Sequence, residues 1–175
     1  MPLDFSFSPD HEAWRAQVRD FAQRELKPHS RRWDEEARLP REAIRAMGRA
    51  GILGVIGDPR LGGQGRDYVS LGIAIEEIAA VDVSCALIAW QQATHAHFFP
   101  GWGDDTVRAV YAGECVVALA TSEENAGSDL SAIEVTARLE GDDYVIDGTK
   151  IHVSTVPGAD VLAVSARVAN PQGDK

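Results

Sequence analysis

The 175 residues can bury a sizeable core as one domain or two small ones, and the 45% hydrophobic content is that of a folded chain. A formal charge of −10, with no basic stripe to offset it, argues against a nucleic-acid partner. Cys85 and Cys115 lie in apolar surroundings without metal-ligand spacing, no signal-peptide pattern opens the chain, and no apolar run reaches bilayer length. The expectation is a cytoplasmic chain with reduced thiols and no membrane span.

Helical spacing governs the first part of the chain. Ser8 followed by Pro9 is an N-cap and first-turn pair, Trp14, Val18 and Phe21 follow on one face, and Pro28 predicts the end of that helix. A second helix opens near Pro40, buries Ile44 and Met47, and stops at Gly51. GDPRLGGQGRD (57–67) is a glycine-rich loop. Two long apolar helices follow, about 67–81 and 83–99, with a break at Asp82–Ser84, and a short helix covers 104–112.

After Gly113 the pattern becomes strand-like. CVVALA (115–120) suits a strand covered on both faces. IEVTARLE (133–140) alternates, with Ile133, Val135, Ala137 and Leu139 on one face. GDD (141–143) signals a hairpin and YVIDG (144–148) the return strand. KIHVST (150–155) and DVLAVSARV (160–168) supply two more strands. The fold class is α+β: an all-α domain over 1–113, then part of an antiparallel β-barrel or sandwich over 114–175. Only NPQGDK (170–175) follows the last apolar strand, and a bare apolar edge is an aggregation liability. This predicts a fragment, or a subunit completed by another polypeptide.

Several constellations invite a chemical reading. GGQG (62–65) can cradle a phosphate with its amides, but it lacks the Lys-Ser/Thr of a Walker loop and the strand of a dinucleotide fingerprint, so a turn feeding the N-cap Asp67 is expected. His95 and His97, two apart on a helix, point about 200° apart and cannot share a metal, and no metal site is expected. The pairs Glu76–Glu77, Asp104–Asp105 and Asp142–Asp143 read as solvated or capping charge, while Glu123 and Glu124 are less clear. ALATSEENAGSD (118–129) ends an apolar run in hydroxyls and carboxylates, more than a plain turn needs. On a strand over 150–155, Lys150, His152 and Ser154 project from one face. That face suits a planar polar ligand and suits plain solvation equally.

Together these segments resemble the acyl-CoA dehydrogenase family. ALATSEENAGSD is similar to its T-E-P-x-A-G-S-D stretch, GTKIHVSTVPGAD (148–160) to its G-x-K-x-x-I-[ST]-N segment, and GDPRLGGQG to its P-E-x-Y-G-G-x-G loop. SPDHEAWRAQVRDFAQRELKP (8–28) resembles its first helix. The resemblance runs through the whole chain in order. It implies the family's helical domain and the opening part of its middle β domain, with no counterpart here of the C-terminal four-helix domain.

The resemblance also implies FAD as cofactor and an acyl-CoA or acyl-carrier thioester as substrate. In the family's α,β-dehydrogenation a glutamate removes the α-proton while the β-hydrogen leaves as hydride to flavin N5. Leu119, Thr121 and Ser122 fall where the family contacts the flavin pyrimidine edge. His152 and Ser154 fall where a Trp packs on the ring and a Thr hydroxyl reaches N5. Ser128 falls at the carrier contact, and Gln91, Thr94 and Phe98 on the wall of the acyl pocket. The catalytic base falls outside 1–175, which implies that this stretch alone is inactive. A homo-oligomer (dimer or tetramer) or heteromer is implied too. The sequence departs from the pattern at Glu124 (usually Pro), His152 (usually Trp), Thr155 (usually Asn) and Leu119 (Tyr in some members). His152 is compatible with oxygen chemistry, so a flavin-dependent monooxygenase of the same fold is the alternative enzyme, and a non-catalytic partner subunit the alternative outside catalysis.

Overall fold

The computed structural model describes residues 5–98 and 100–168. The expectation drawn from 170–175 lies outside the described residues. The chain divides into two compact units, with the boundary between Val117 and Ala118.

The first unit is helical. Helix α1 (Pro9–Phe21) starts where Ser8 accepts a hydrogen bond from the His11 amide, with Pro9 in the first turn. Pro28 does not end it. A π-helical turn, Ala22–Leu26, leads directly into α2 (Lys27–Glu35), and the Lys27 amide reaches the Ala22 carbonyl five residues back. A proline ring normally strikes the carbonyl four residues earlier and supplies no donor for it. The widened turn relieves both problems, so the helix continues.

Helix α3 (Arg41–Arg49) buries Ala43, Ile44, Ala46 and Met47 and gives way to Gly51, whose φ of 73° is the left-handed value that glycine adopts freely. Helix α4 (Tyr68–Ala79) is capped by Asp67, which accepts from the Ser70 amide. Helix α5 (Val83–Phe98) begins where Asp82 accepts from the Cys85 amide at 2.8 Å. Helix α6 (Asp104–Tyr111) closes the unit.

One apolar core, including Trp14, Leu26, Ile44, Met47, Ile73 and Ile78, joins α1 to α5, while α6 packs Val107, Val110 and Tyr111 into a second cluster with Ala96 and Val117. Two polar locks tie α1 to α4. The Trp14 indole donates to the Ser70 carbonyl at 2.9 Å, and the Arg19 guanidinium makes a two-pronged bond to Glu77 at 2.7 and 2.8 Å. Glu77 is therefore a structural anion, whereas its neighbour Glu76 is exposed.

Among the described residues the second unit has five short strands, the first of which begins at the boundary: β1 (Val117–Ala120), β2 (Thr136–Glu140), β3 (Asp143–Asp147), β4 (Val161–Val164) and β5 (Arg167–Val168). β1 neighbours β4, while β2 lies between β3 and β5. The β2–β3 hairpin is antiparallel, from Thr136 opposite Asp147 to Glu140 opposite Asp143, and turns at Gly141 as the GDD signal implies. The β2–β5 pair is parallel.

Three strand expectations are corrected. Strand β2 starts at Thr136 rather than Ile133, because the Glu134 and Val135 amides donate to the Glu123 carboxylate instead of a ladder. The apolar face expected over 133–140 buries Val135 and Ala137 but leaves Leu139 57% exposed. Residues 160–168 form two strands rather than one. The Ser165 amide bonds the Ala120 carbonyl and the Arg167 amide bonds the Val135 carbonyl, so the segment passes from one sheet to the other. Residues 150–155 form no strand, since His152 (φ 54°) and Thr155 (φ 66°) adopt left-handed backbone that interrupts any extended run.

Candidate functional site

In the helical unit, the loop before α4 has its amides turned inward. Gly63, Gln64, Gly65 and Arg66 donate to the carbonyls of Asp58, Gly54, Gly57 and Val55 at 2.8–3.0 Å. Those amides are taken up by the protein itself, and the loop serves as the turn that delivers Asp67 to α4.

Helix α5 carries three of the sequence candidates. Gln91, Thr94 and Phe98 recur at helical spacing. Among the described residues the Gln91 Oε1 atom is buried without a hydrogen-bond partner. The Thr94 hydroxyl donates back to the Trp90 carbonyl at 2.7 Å, so its proton is used within the helix. Phe98 is 55% exposed and stacks on Tyr68, with ring centroids 6.3 Å apart. His95 is buried and His97 exposed, in keeping with their divergent directions on the helix. Burial pushes the His95 imidazole below its ordinary pKa.

Sequence reasoning passed over Gln92. Its side-chain amide is fully buried and bonds both main-chain groups of Val117, the last residue of the unit. No pattern distinguishes Gln92 from Gln91 except a helical phase known only once the helix is placed.

In the second unit, the run that ends at Ala120 continues into half-buried Thr121 and Ser122, with Leu119 half-buried inside β1. The Ser122 carbonyl accepts from the Ile151 amide at 2.9 Å. This bond sets the strand end beside the 150–155 segment, where His152 and Ser154 are exposed. The association of these two segments thus survives the loss of the expected strand, but it arises from a main-chain bond rather than from a shared sheet face. Among the described residues, the side chains of Thr121, Ser122, His152 and Ser154 make no hydrogen bond.

The loop beyond Ser122 is closed on itself. Glu123 and Ala126 exchange main-chain bonds at 2.8 and 3.2 Å. Ser128 is exposed, and the Asp129 carboxylate holds the Ser131 amide and hydroxyl at 2.9 and 2.6 Å.

The organising group is Glu123, whose role the sequence left open. Its side chain is 7% exposed and accepts from the Glu134 amide at 2.5 Å, the Val135 amide at 3.1 Å and the Lys150 ammonium at 2.6 Å. Burial raises the carboxyl pKa, but those bonds, led by that from Lys150, outweigh it and hold the group below its ordinary value. Lys150, placed by sequence on an open face, is instead 8% exposed at its side chain. It also donates to the Thr121 carbonyl at 3.1 Å and the Ser165 hydroxyl at 3.0 Å.

Comparison with known proteins identifies the family. The sequence profile of the acyl-CoA dehydrogenase N-terminal domain matches residues 8–117, and that of the acyl-CoA dehydrogenase middle domain matches residues 118–175. A short-chain-specific acyl-CoA dehydrogenase of Clostridium acetobutylicum is 32% identical over 179 residues, covering 99% of this chain and 47% of that relative. The acyl-CoA dehydrogenase of Geobacillus kaustophilus superposes with a TM-score of 0.85 at 27% identity, over 97% of this chain and 46% of that one. A glutaryl-CoA dehydrogenase of Mycobacterium smegmatis in complex with FADH2 does so with a TM-score of 0.83 at 26% identity, over 93% and 44%. The chain spans about half the length of the curated relatives it matches. With both domain profiles matched in consecutive order from Ser8 onward, and the fold shared with solved dehydrogenases, the chain belongs to the acyl-CoA dehydrogenase family.

Proposed function

We propose that the chain supplies one wall of the FAD site of a flavoprotein that dehydrogenates an acyl thioester. The observation that carries this reading is the joined pair of segments, 119–122 and 150–155. They present three hydroxyls and an imidazole at half-buried or exposed positions, free of partners among the described residues. Such a donor set fits the polar edge of a planar heteroaromatic ring.

FAD, when bound, supplies the acceptor for the hydrogen leaving the substrate's β-carbon. The Thr121 and Ser122 hydroxyls are assigned to its pyrimidine edge, beside the apolar Leu119. The Ser154 hydroxyl is assigned to donate toward the ring's reacting nitrogen, where it stabilises negative charge as that charge develops. His152 is assigned to the ring face, and Ser128 to the thioester carrier. On the helical unit, Gln91, Thr94 and Phe98 are assigned to the acyl chain. Glu123 is fully occupied by three donors and Glu124 lies exposed in the turn, so neither serves as the base that takes the α-proton. The assembly in which the chain works is proposed to be oligomeric.

Titration of the purified protein with FAD, followed by flavin fluorescence and visible absorbance, tests the reading. Uptake of one flavin per chain supports it, and absence of uptake overturns it. Anaerobic mixing of acyl-CoA thioesters of graded length with a flavin-loaded assembly that also supplies the base then reports the substrate by bleaching of the flavin band. His152 on the proposed wall favours a second reading, a monooxygenase. A C4a-adduct spectrum on mixing the reduced protein with oxygen supports that reading, and direct reoxidation without the adduct excludes it.

A further inference from the structure

We propose that the buried Glu123–Lys150 pair is a positioning device for the cofactor wall, setting the end of β1 and the 150–155 segment at a fixed mutual spacing before any ligand arrives. The inference rests on the FAD-site reading given above. Its basis is where the bonds of this pair go. The Lys150 ammonium reaches the Glu123 carboxylate at 2.6 Å, the Thr121 carbonyl at 3.1 Å and the Ser165 hydroxyl at 3.0 Å. Ser165 in turn approaches the Ala120 carbonyl through its amide at 3.1 Å.

Apart from the Ser165 hydroxyl, each of these acceptors lies within two residues of a proposed ligand-facing group. Thr121 and Ser122 immediately precede Glu123, and Lys150 lies two residues before His152. Glu123 adds the amides of Glu134 and Val135, so the ammonium and carboxylate together tie four chain segments. An ammonium with three donors, held by three acceptors, has no hydrogen-bonding capacity left for a ligand. Neither charge is offered to the wall's open side, and the pair therefore acts through the residues it holds.

An apolar core would hold these segments together equally well for stability, and exchanging a buried ion pair for apolar groups of similar volume is often neutral. What such an exchange loses is directional placement of the Thr121 carbonyl and of the residues after Lys150. Misplacement on the ångström scale is costly to a preorganised site.

The test compares wild type, the double variant Glu123→Gln/Lys150→Met, and the single variant Lys150→Arg. Glutamine keeps one oxygen, for either the Glu134 or the Val135 amide, methionine keeps the lysine stem volume, and arginine keeps the charge but not a single three-way donor atom. FAD affinity and the visible circular dichroism of the bound flavin are read at a temperature where each protein is fully folded. The expected result is a loss of FAD affinity of about tenfold or more, with an altered dichroic band, in variants whose Tm stays within about 5 °C of wild type. Wild-type affinity and spectrum in the folded variants overturn the inference while leaving the FAD reading intact. A wild-type protein that takes up no FAD overturns both. If the double variant does not fold, Lys150→Arg decides by the same two readouts.

Discussion

The side chain of Gln92 is clasped to the main chain of Val117: Nε2 donates to the carbonyl and Oε1 accepts from the amide, each at 2.9 Å. Both groups are fully buried, so neither Val117 atom has water to fall back on. Gln92→Ala leaves a buried donor and a buried acceptor unpaired and opens a void. Urea unfolding is expected to show a loss of about 2–4 kcal/mol. A loss under about 0.5 kcal/mol would mean that water or a shifted partner replaces the amide.

Thr155 is a β-branched residue at φ 66°, and its hydroxyl donates to the adjacent Ser154 carbonyl at 2.6 Å. Left-handed backbone is costly for such a side chain and cheaper for asparagine. Thr155→Asn is expected to raise stability by about 1 kcal/mol, read as a higher urea midpoint at unchanged slope. No gain, or a loss, would show that the hydroxyl bond to Ser154 outweighs the strain.

Gly48 sits in α3 where the chain leaving α6 passes against it. A Cβ there would stand 2.3 Å from the Ala112 carbonyl carbon and oxygen, and 2.6 Å from the Gly113 nitrogen. These are backbone atoms and cannot swing away. Gly48→Ala, which in an open helix would stabilise, is expected here to cost about 2–3 kcal/mol by thermal melting. An unchanged Tm would show that α3 and the end of α6 can separate freely.

Glu77 connects the acid stability of the helical unit to α1. The Arg19 bond, followed by the charges of Arg19 and Arg15, outweighs burial and holds its carboxyl below the ordinary value. Glu42 is held down too, at about 2, first by Arg38, with a further bond from the Trp33 indole. A depressed native pKa means that the unfolded chain binds protons first. The contribution is therefore complete above the ordinary carboxylate value and disappears as pH falls through the native one. Stability is expected to decline from about pH 4.5 toward pH 2. Glu77→Gln is expected to lower stability at pH 7 by about 1–2 kcal/mol, limited by the exposure of Arg19, and to flatten this decline. Melting curves from pH 7 to pH 3 for both proteins provide the measurement, and parallel curves would remove Glu77 as a contributor.

Much of the helical unit is legible in the sequence because its signals act within a few residues. Ser8 with Pro9, Asp67, Asp82 and Gly51 each set a helix end by local chemistry, and the structure uses all of them. Pro28 was equally local but misleading, since a π-helical turn absorbs a proline at the cost of one widened ring of hydrogen bonds. The hairpin at Gly141 was legible for the same reason as the caps.

The site divides in the same way. Its composition is visible in the hydroxyls of 118–129 and in the 148–160 motif, which suffice to indicate the family. Its construction is not visible. Glu123 and Lys150 are 27 residues apart, and a carboxylate beside a turn looks the same whether solvated or buried. The sequence alone determined where most helices start and which segments the proposed wall is drawn from. The tertiary structure decided that 150–155 is not a strand, that 160–168 serves two sheets, and that Glu123 is a buried anchor. Those outcomes depend on where distant donors settle, because a buried carboxylate takes whichever amides and ammonium satisfy it, and the strands then form with the backbone groups that remain.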